Sequence, residues 1–374
     1  MKQLIYADNA ATTQLDIDAF EAMKPYLLGE YGNASQPYSF ARTAKKALKN
    51  SREIIAQCIG AQPEEIFFTS GGTESNNWAI KGTAFSDPAK HAFITSVIEH
   101  HAILRPCADI ERMGHPVSYL PVDYTGTVNI ESLEENINSD TRLVSIMTAN
   151  NEIGSIQDIS ALAAIAHSCG AIFHTDAVQA VGHIEIDVNS LGVDMLSASA
   201  HKFNGPKGIG FLYVRKGTPL MPYASGGGQE HYMRAGTENV ASIVGMATAL
   251  KKNVAAMKDT ASHLALLENR LLVGLSNANI RFLRNGSGMH IPGNLSLSFP
   301  GYSGEALLHR LDLMGICVST GSACNSQKTQ ISHVLQAIGL NPELAKGTIR
   351  LSFGRNNSEN DVDKIIESLQ RILG

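Results

Sequence analysis

Cysteine is scarce: five residues in 374, at positions 58, 107, 169, 317 and 324. The set is odd in number, scattered, and holds no Cys-x-x-Cys pair. That excludes a disulfide framework and a structural zinc site of the usual spacing. Long apolar runs are missing too; no stretch of 18 such residues occurs, so no membrane-spanning helix is expected. Charge of one sign is not concentrated anywhere, with 30 Lys and Arg against 35 Asp and Glu and a net charge of −5. Without a basic stripe or polybasic arm, neither nucleic acid nor an anionic membrane is an expected partner. Residues 1–8 lack the apolar stretch of a secretory signal. Tandem repeats and low-complexity tracts are absent as well. What is present is a chain 44% hydrophobic, enough for a packed core and too much for disorder. A cytoplasmic protein with reduced thiols is expected, and in that setting a thiol is available for chemistry.

Short β-branched or apolar runs alternate with helical spacing. Residues 66–69, 92–95, 143–147, 171–174, 195–197 and 210–214 read as strands, and 73–81 and 159–168 as helices. This alternation predicts a mostly parallel sheet covered by helices on both faces. Past Gly236 the pattern changes to α+β. Helices are predicted at 240–257, 262–275, 304–314, near Val334, and at 362–373, with strands at 295–299 and 348–353. The expected organisation is an N-terminal segment (1–15) packing with a small domain, a large α/β domain (16–255), and a small α+β C-terminal domain (256–374).

Polar residues stand at the ends of the predicted buried strands, where parallel sheets bind ligands. After residues 66–69 comes Ser70-Gly71-Gly72-Thr73-Glu74, opening a helix. Two glycines let the backbone approach an anion, and a helix N-terminus supplies free N–H groups. A glycine turn with a threonine cap is the plainer reading of that segment. Further strands lead to Asn150-Asn151-Glu152, to Asp176 with Gln179 beyond it, and to Ser199-Ala200-His201-Lys202. Taken singly, Asp176 reads as a helix cap and Lys202 as a solvated side chain. Taken together, an amine, a carboxylate and an anion cradle on one edge match what pyridoxal 5′-phosphate requires. It needs a Schiff-base lysine, a carboxylate against the pyridine nitrogen, and a phosphate site.

Residues 8–13 (Asp-Asn-Ala-Ala-Thr-Thr), 69–77, Glu99-His100-His101-Ala102, 150–154, 174–179 and His201-Lys202 through Gly208 resemble the cysteine desulfurases of the NifS/IscS type. These are fold-type I enzymes of the class V aminotransferase group. The resemblance runs from residue 4 to about residue 355 and implies a seven-stranded, mostly parallel sheet. It also implies roles. Lys202 forms the Schiff base, Asp176 pairs with the pyridine nitrogen, and Gln179 pairs with the ring hydroxyl. His100 lies over the ring and shuttles protons. Thr73, Ser199, His201 and the backbone at Gly72 hold the phosphate, while Asn151 orients substrate and cofactor. Thr237 resembles a residue that reaches the partner subunit's phosphate, which implies a homodimer. Arg350 resembles the arginine that grips the substrate carboxylate, a task suited to a guanidinium, and Asn33 matches a residue beside it. Gly72 departs from relatives that carry alanine there.

Cys324, in Ser322-Ala323-Cys324-Asn325-Ser326, stands apart from the other four cysteines. Its surroundings are small and polar with no apolar periodicity, so an exposed loop thiol is expected, suited to nucleophilic work. The segment resembles the Ser-Gly-Ser-Ala-Cys-Thr-Ser loop of the NifS/IscS branch. The implied activity is removal of sulfur from L-cysteine, giving L-alanine and a Cys324 persulfide for a sulfur-acceptor protein, in iron–sulfur cluster assembly or a thiolation pathway. No resident metal is expected; Cys324 alone could ligate an iron–sulfur cluster in passing. Residues 327–331 are more polar than the loop they resemble and lack its proline. The chain ends at Gly374, just past the last predicted helix, where relatives serving iron–sulfur scaffolds often carry a tail; this leaves tRNA thiolation open as the destination. Another class V enzyme, such as a selenocysteine lyase or an aminotransferase, would share Lys202 and Asp176 without needing Cys324. A non-catalytic partner-binding or sulfur-carrier subunit would have lost Lys202, Asp176 or Arg350, and all three are present.

Overall fold

The computed structural model describes residues 4–87, 89–286, 288–320 and 331–374. In chain order its strands begin with β1 Ile5–Tyr6, β2 Ile66–Thr69, β3 Ala92–Ser96, β4 Val117–Leu120, β5 Thr141–Ser145 and β6 Ile172–Asp176. They continue with β7 Met195–Ser199, β8 Gly210–Val214, β9 Leu283–Asn285, β10 Asn294–Ser298, β11 Ile316–Cys317 and β12 Thr348–Ser352.

Seven of these form one sheet in the order β2-β8-β7-β6-β5-β3-β4. Only β8 runs against the rest, pairing antiparallel with both β2 and β7. Residues of β5, β6, β7 and β8 are buried throughout, as strands covered on both faces must be. The alternation is visible in the packing. Phe93, Leu143, Ile172, Met195 and Leu212 enter one core cluster, while their chain neighbours Ile94, Val144, Phe173, Leu196 and Phe211 enter another. A period of two thus sends successive side chains to opposite faces. Because β2, β3, β5, β6 and β7 point the same way, Thr69, Ser96, Ser145, Asp176 and Ser199 all end at one edge.

A smaller antiparallel sheet, β12-β10-β9, lies under helices Met257–Asn277 and Glu359–Leu373, with a separate core of Leu267, Leu271, Leu297, Phe299, Leu351 and Ile365. Ile5 and Ala7 belong to this second core. The N-terminal strap is zippered along it: β1 pairs with β11, Asp8 bridges to Ser352, and the Ser352 N–H donates to the Ala7 carbonyl (2.8 Å).

The predicted sheet strands all occur, shifted by a residue or two at their ends. The long helix predicted at 240–257 and continued over 262–275 is two helices, Val240–Ala255 and Met257–Asn277, with the chain turning at Ala256. Helices Ile17–Leu28, Arg42–Ile59 and His101–Arg112 and strands β4 and β9 add to the predicted set. β4 is a four-residue edge strand with Tyr119 exposed, too short and too polar on one side to stand out in sequence.

Candidate active site

A cavity of about 520 Å³ opens at the common strand edge. Strap residues Ala10–Thr12 form one side, the Ser70–Glu74 turn another, and Arg350 reaches in from β12.

The turn after β2 is built for close approach to an anion. Gly71 sits at φ +146°, a conformation that side chains rarely adopt. Helix Gly72–Ala84 then starts with no side-chain cap, leaving its first N–H groups for a ligand. A Cβ on Gly72 would lie 2.5 Å from Val178 Cγ2. Across the turn, Ser199 ends β7 buried, and His201 follows in a 3-10 turn with Nδ1 3.1 Å from Thr12 Oγ1. Burial, aided by Lys202 and Lys207, pushes His201 down to about 4. Its ring is therefore neutral and can donate from one nitrogen only. Glu74 faces burial that would raise its pKa, yet Arg234, 2.8 Å away, and Ser70 hold it below the ordinary carboxylate range.

Asp176, at the end of β6, is buried. Its Oδ2 accepts from Asn76 Nδ2 at 2.6 Å and its Oδ1 from the Val178 N–H at 3.0 Å. Asn76 Oδ1 is buried without a partner among the described residues. The carboxylate is thus aimed by neutral donors from two elements. Lys202 lines the same cavity, its Nζ donating to the carbonyls of Ala10 (2.5 Å) and Ala11 (2.9 Å); Gln179 Nε2 donates to Ala10 as well (2.9 Å).

His100 caps helix His101–Arg112, its Nδ1 accepting from the Ala102 N–H at 3.0 Å. That fixes the proton of the neutral ring on Nε2. Burial lowers its pKa; Asp176 opposes this and Lys202 adds to it. Behind it, buried Glu99 accepts from Ser96 Oγ (2.7 Å) and the Met147 N–H (2.9 Å), and burial pushes its carboxyl up to about 8.

Arg350 is buried and paired with Asp8 at 2.6 Å, while Nη1 donates to the Asn151 carbonyl at 2.9 Å. Asn33 and Thr237 do not line this cavity; the Asn33 side chain caps its own turn by accepting from the Ser35 N–H. Cys324 lies outside the described residues. Cys107 is buried and Cys58, Cys169 and Cys317 are half-buried. Burial pushes Cys58 up to about 11 and Cys107 to about 12, which makes both poor nucleophiles. Among the described residues no helix is long and apolar enough to cross a membrane, and no cluster of His, Cys, Asp and Glu could hold a metal.

The donor set fits pyridoxal phosphate: an uncapped helix start beside a glycine turn, a buried and aimed carboxylate, and a lysine, all on one cavity. Asn76 and Asp8 are among the side chains here to which sequence reasoning gave no role. Both lie in segments singled out by resemblance, but their partners stand 100 and 342 residues away.

This fold and site are those of a family. The aminotransferase class-V profile matches residues 5–365, and the chain belongs to that family. Within it, the chain groups with proteins of the IscS and NifS-like kind. It is 47% identical to "Cysteine desulfurase IscS" of Dictyoglomus turgidum, covering 100% of this chain and 95% of that protein. It is also 47% identical to the protein of the same description from Methanosarcina thermophila, covering 99% and 92%. Among solved structures, a "NifS-like protein" superposes with TM-score 0.94 at 38% identity over 99% of both chains. A structure titled "SspA in complex with cysteine" does so with TM-score 0.84 at 36% identity, over 96% of this chain and 100% of that one.

Proposed function

We propose that the protein is a pyridoxal phosphate-dependent cysteine desulfurase that converts L-cysteine to L-alanine and leaves the sulfur as a persulfide on Cys324. The observation that carries this reading is one cavity lined by Lys202, Asp176, His100 and Arg350. When bound, the cofactor supplies an electron sink for the pair left behind as the substrate α-proton departs. Asp176, held by Asn76 and the Val178 N–H, would meet the ring nitrogen. Gly72, Thr73, Ser199 and His201 would meet the phosphate. Gln179 and Asn151 complete the surround.

Arg350 binds the substrate carboxylate. Lys202 would hold the cofactor, and its amine takes the substrate α-proton. Neutral His100, with its proton on Nε2, moves a proton at the substrate thiol. The Cys324 thiolate attacks the substrate sulfur; the new S–S bond forms as the Cβ–S bond breaks. The electron pair stays with carbon, which is protonated on the way to alanine. The persulfide then passes to an acceptor protein in cluster assembly or a thiolation pathway.

The strap 1–15, a large unit 16–255 and a small unit 256–374 divide the chain in this reading, supported by the small sheet's own core, which takes in only strap and 256–374 residues. Thr237 serves the partner's site in a homodimer, in a cytoplasmic setting. That reading is supported by Thr237 being exposed and lying away from this chain's own cavity.

The test is mass spectrometry after incubation with L-cysteine. One added sulfur, mapped to Cys324, is expected. Cys324→Ser should lose that sulfur and keep the cofactor's absorbance. Persulfide formed elsewhere, or none in the native chain, defeats the reading.

A further inference from the structure

Arg350 is held before any substrate arrives. Nη2 donates to Asp8 Oδ1 at 2.6 Å, and Nη1 donates to the Asn151 carbonyl at 2.9 Å. Arg350 Nε, by contrast, is buried with no hydrogen-bond partner among the described residues, in a side chain that is 6% exposed. A buried guanidinium N–H without an acceptor is costly, and the cavity that Arg350 lines is where an acceptor can come from. Two of its five N–H groups are taken by the protein itself. Nε and a remaining Nη N–H stand side by side on one guanidinium edge, the geometry of bidentate pairing with a carboxylate.

We infer that Asp8 is a positioning residue for substrate binding: it pins the Arg350 guanidinium so that the Nε edge meets the α-carboxylate. This deepens the proposed activity and rests on it. The placement follows from the fold. Asp8 bridges to Ser352, the Asn9 N–H donates to the Ser352 carbonyl (3.1 Å), and the Ala10 N–H donates to Ser352 Oγ (2.8 Å). Asp8 is thereby locked beside β12 with its carboxylate at Arg350. The other carboxyl near Arg350 is Glu152. It is buried, its Oε2 accepts from Ser332 Oγ at 2.5 Å, and burial pushes it up to about 7. Asp8 is therefore the partner that fixes the guanidinium plane. Two positions further along the strap, Ala10 accepts from Lys202 and Gln179, so one short segment sets both the carboxylate grip and the amine.

The experiment uses the cofactor-loaded protein and titrates L-alanine, which has the amine and carboxylate but no sulfur, while following the cofactor's absorbance. Asp8→Ala should weaken L-alanine by about tenfold to a hundredfold, the scale of removing one charge-assisted hydrogen bond from a buried guanidinium. The KM for L-cysteine should rise by a similar factor with kcat within about threefold. Asp8→Asn, which keeps an acceptor oxygen, should stay within about threefold of the native chain on both measures. Affinity for pyridoxal phosphate should be unchanged in all variants, since a merely structural residue would disturb it. Asp8→Ser repeats the test with another shortened side chain should Asp8→Ala not fold. L-alanine binding that is unchanged or tighter in the shortened variants would overturn the role, the latter showing that Asp8 competes with substrate. Loss of the cofactor, or failure of both shortened variants to fold, would also overturn it. A native chain whose absorbance ignores both amino acids would bring down the proposed activity and this role with it, whereas a responsive native chain with an indifferent Asp8→Ala brings down the role alone.

Discussion

Glu230→Ala should be among the most damaging single substitutions outside the cavity. Glu230 Oε1 and Oε2 accept from Arg52 Nη2 and Nη1 at 2.7 and 2.9 Å, and Oε2 also accepts from the Phe68 N–H at 2.9 Å. The side chains of Arg52 and Glu230 are 15% and 4% exposed. Arg52 also donates to the Ile66 carbonyl and lies over the Phe68 ring, 4.3 Å from its centroid. One carboxylate therefore ties helix Arg42–Ile59 to β2, the strand that leads into the glycine turn. Glu230, His231 and Tyr232 are held at φ of +46°, +56° and +65°. Non-glycine residues visit that region only under constraint, and the constraint here is the bidentate grip on Glu230.

Truncation leaves a buried guanidinium without its anion and a buried N–H without an acceptor. Breaking a buried pair from one side costs about 3–5 kcal/mol. For a unit of some two hundred residues, each kcal/mol moves the thermal midpoint by roughly 2–4 °C, so a fall of roughly 6–20 °C is expected. Arg52→Met combined with Glu230→Met should fall less than Glu230→Ala alone, because no charge is stranded. Differential scanning fluorimetry of the three proteins decides it. A drop under about 2 °C for Glu230→Ala, below what even 1 kcal/mol would produce, or a double variant worse than the single, would refute the reasoning.

Two further outcomes follow from the packing and the titration of the site's surroundings. Gly72→Ala brings a Cβ to 2.5 Å from Val178 Cγ2; Val178 is stiff at χ1, so a loss of about 1–3 kcal/mol is expected, and Val178→Ala in the same chain should restore most of it in urea denaturation. His174 lies between Ser145 Oγ (2.8 Å) and Ser197 Oγ (2.9 Å), and burial pushes it down to about 3. The folded chain keeps this ring neutral while the unfolded chain protonates it near pH 6.5, so its contribution is complete above that pH and is lost as pH falls from 6.5 toward 3. The drop in thermal midpoint between pH 7 and pH 5 should therefore be smaller in His174→Gln than in the native chain.

What sequence disclosed and what it withheld divide along the range of the physics. Asp176, Ser199 and Lys202 were legible because strand ends are local events: a buried run stops, and a polar residue follows it. In a parallel sheet every such stop falls on one edge, so a local pattern reports a global juxtaposition. Asp8 and Asn76 were not legible as partners. Each is an ordinary polar residue in a strap or a helix, and its meaning comes from a group far along the chain that only the β12 zipper or the packing of helix Gly72–Ala84 brings within reach. The turn at 230–232 was hidden for a different reason. Glutamate, histidine and tyrosine carry no propensity for left-handed backbone, and the salt bridge that holds them there belongs to tertiary structure. The same division explains why Gly71 and Gly72 looked alike in sequence and are not. Gly71 is required by its own φ, a local demand. Gly72 is required by Val178, a neighbour that arrives just past the end of β6, so a smaller residue at 178 would admit alanine at the second glycine, while nothing done to a neighbour relieves the first.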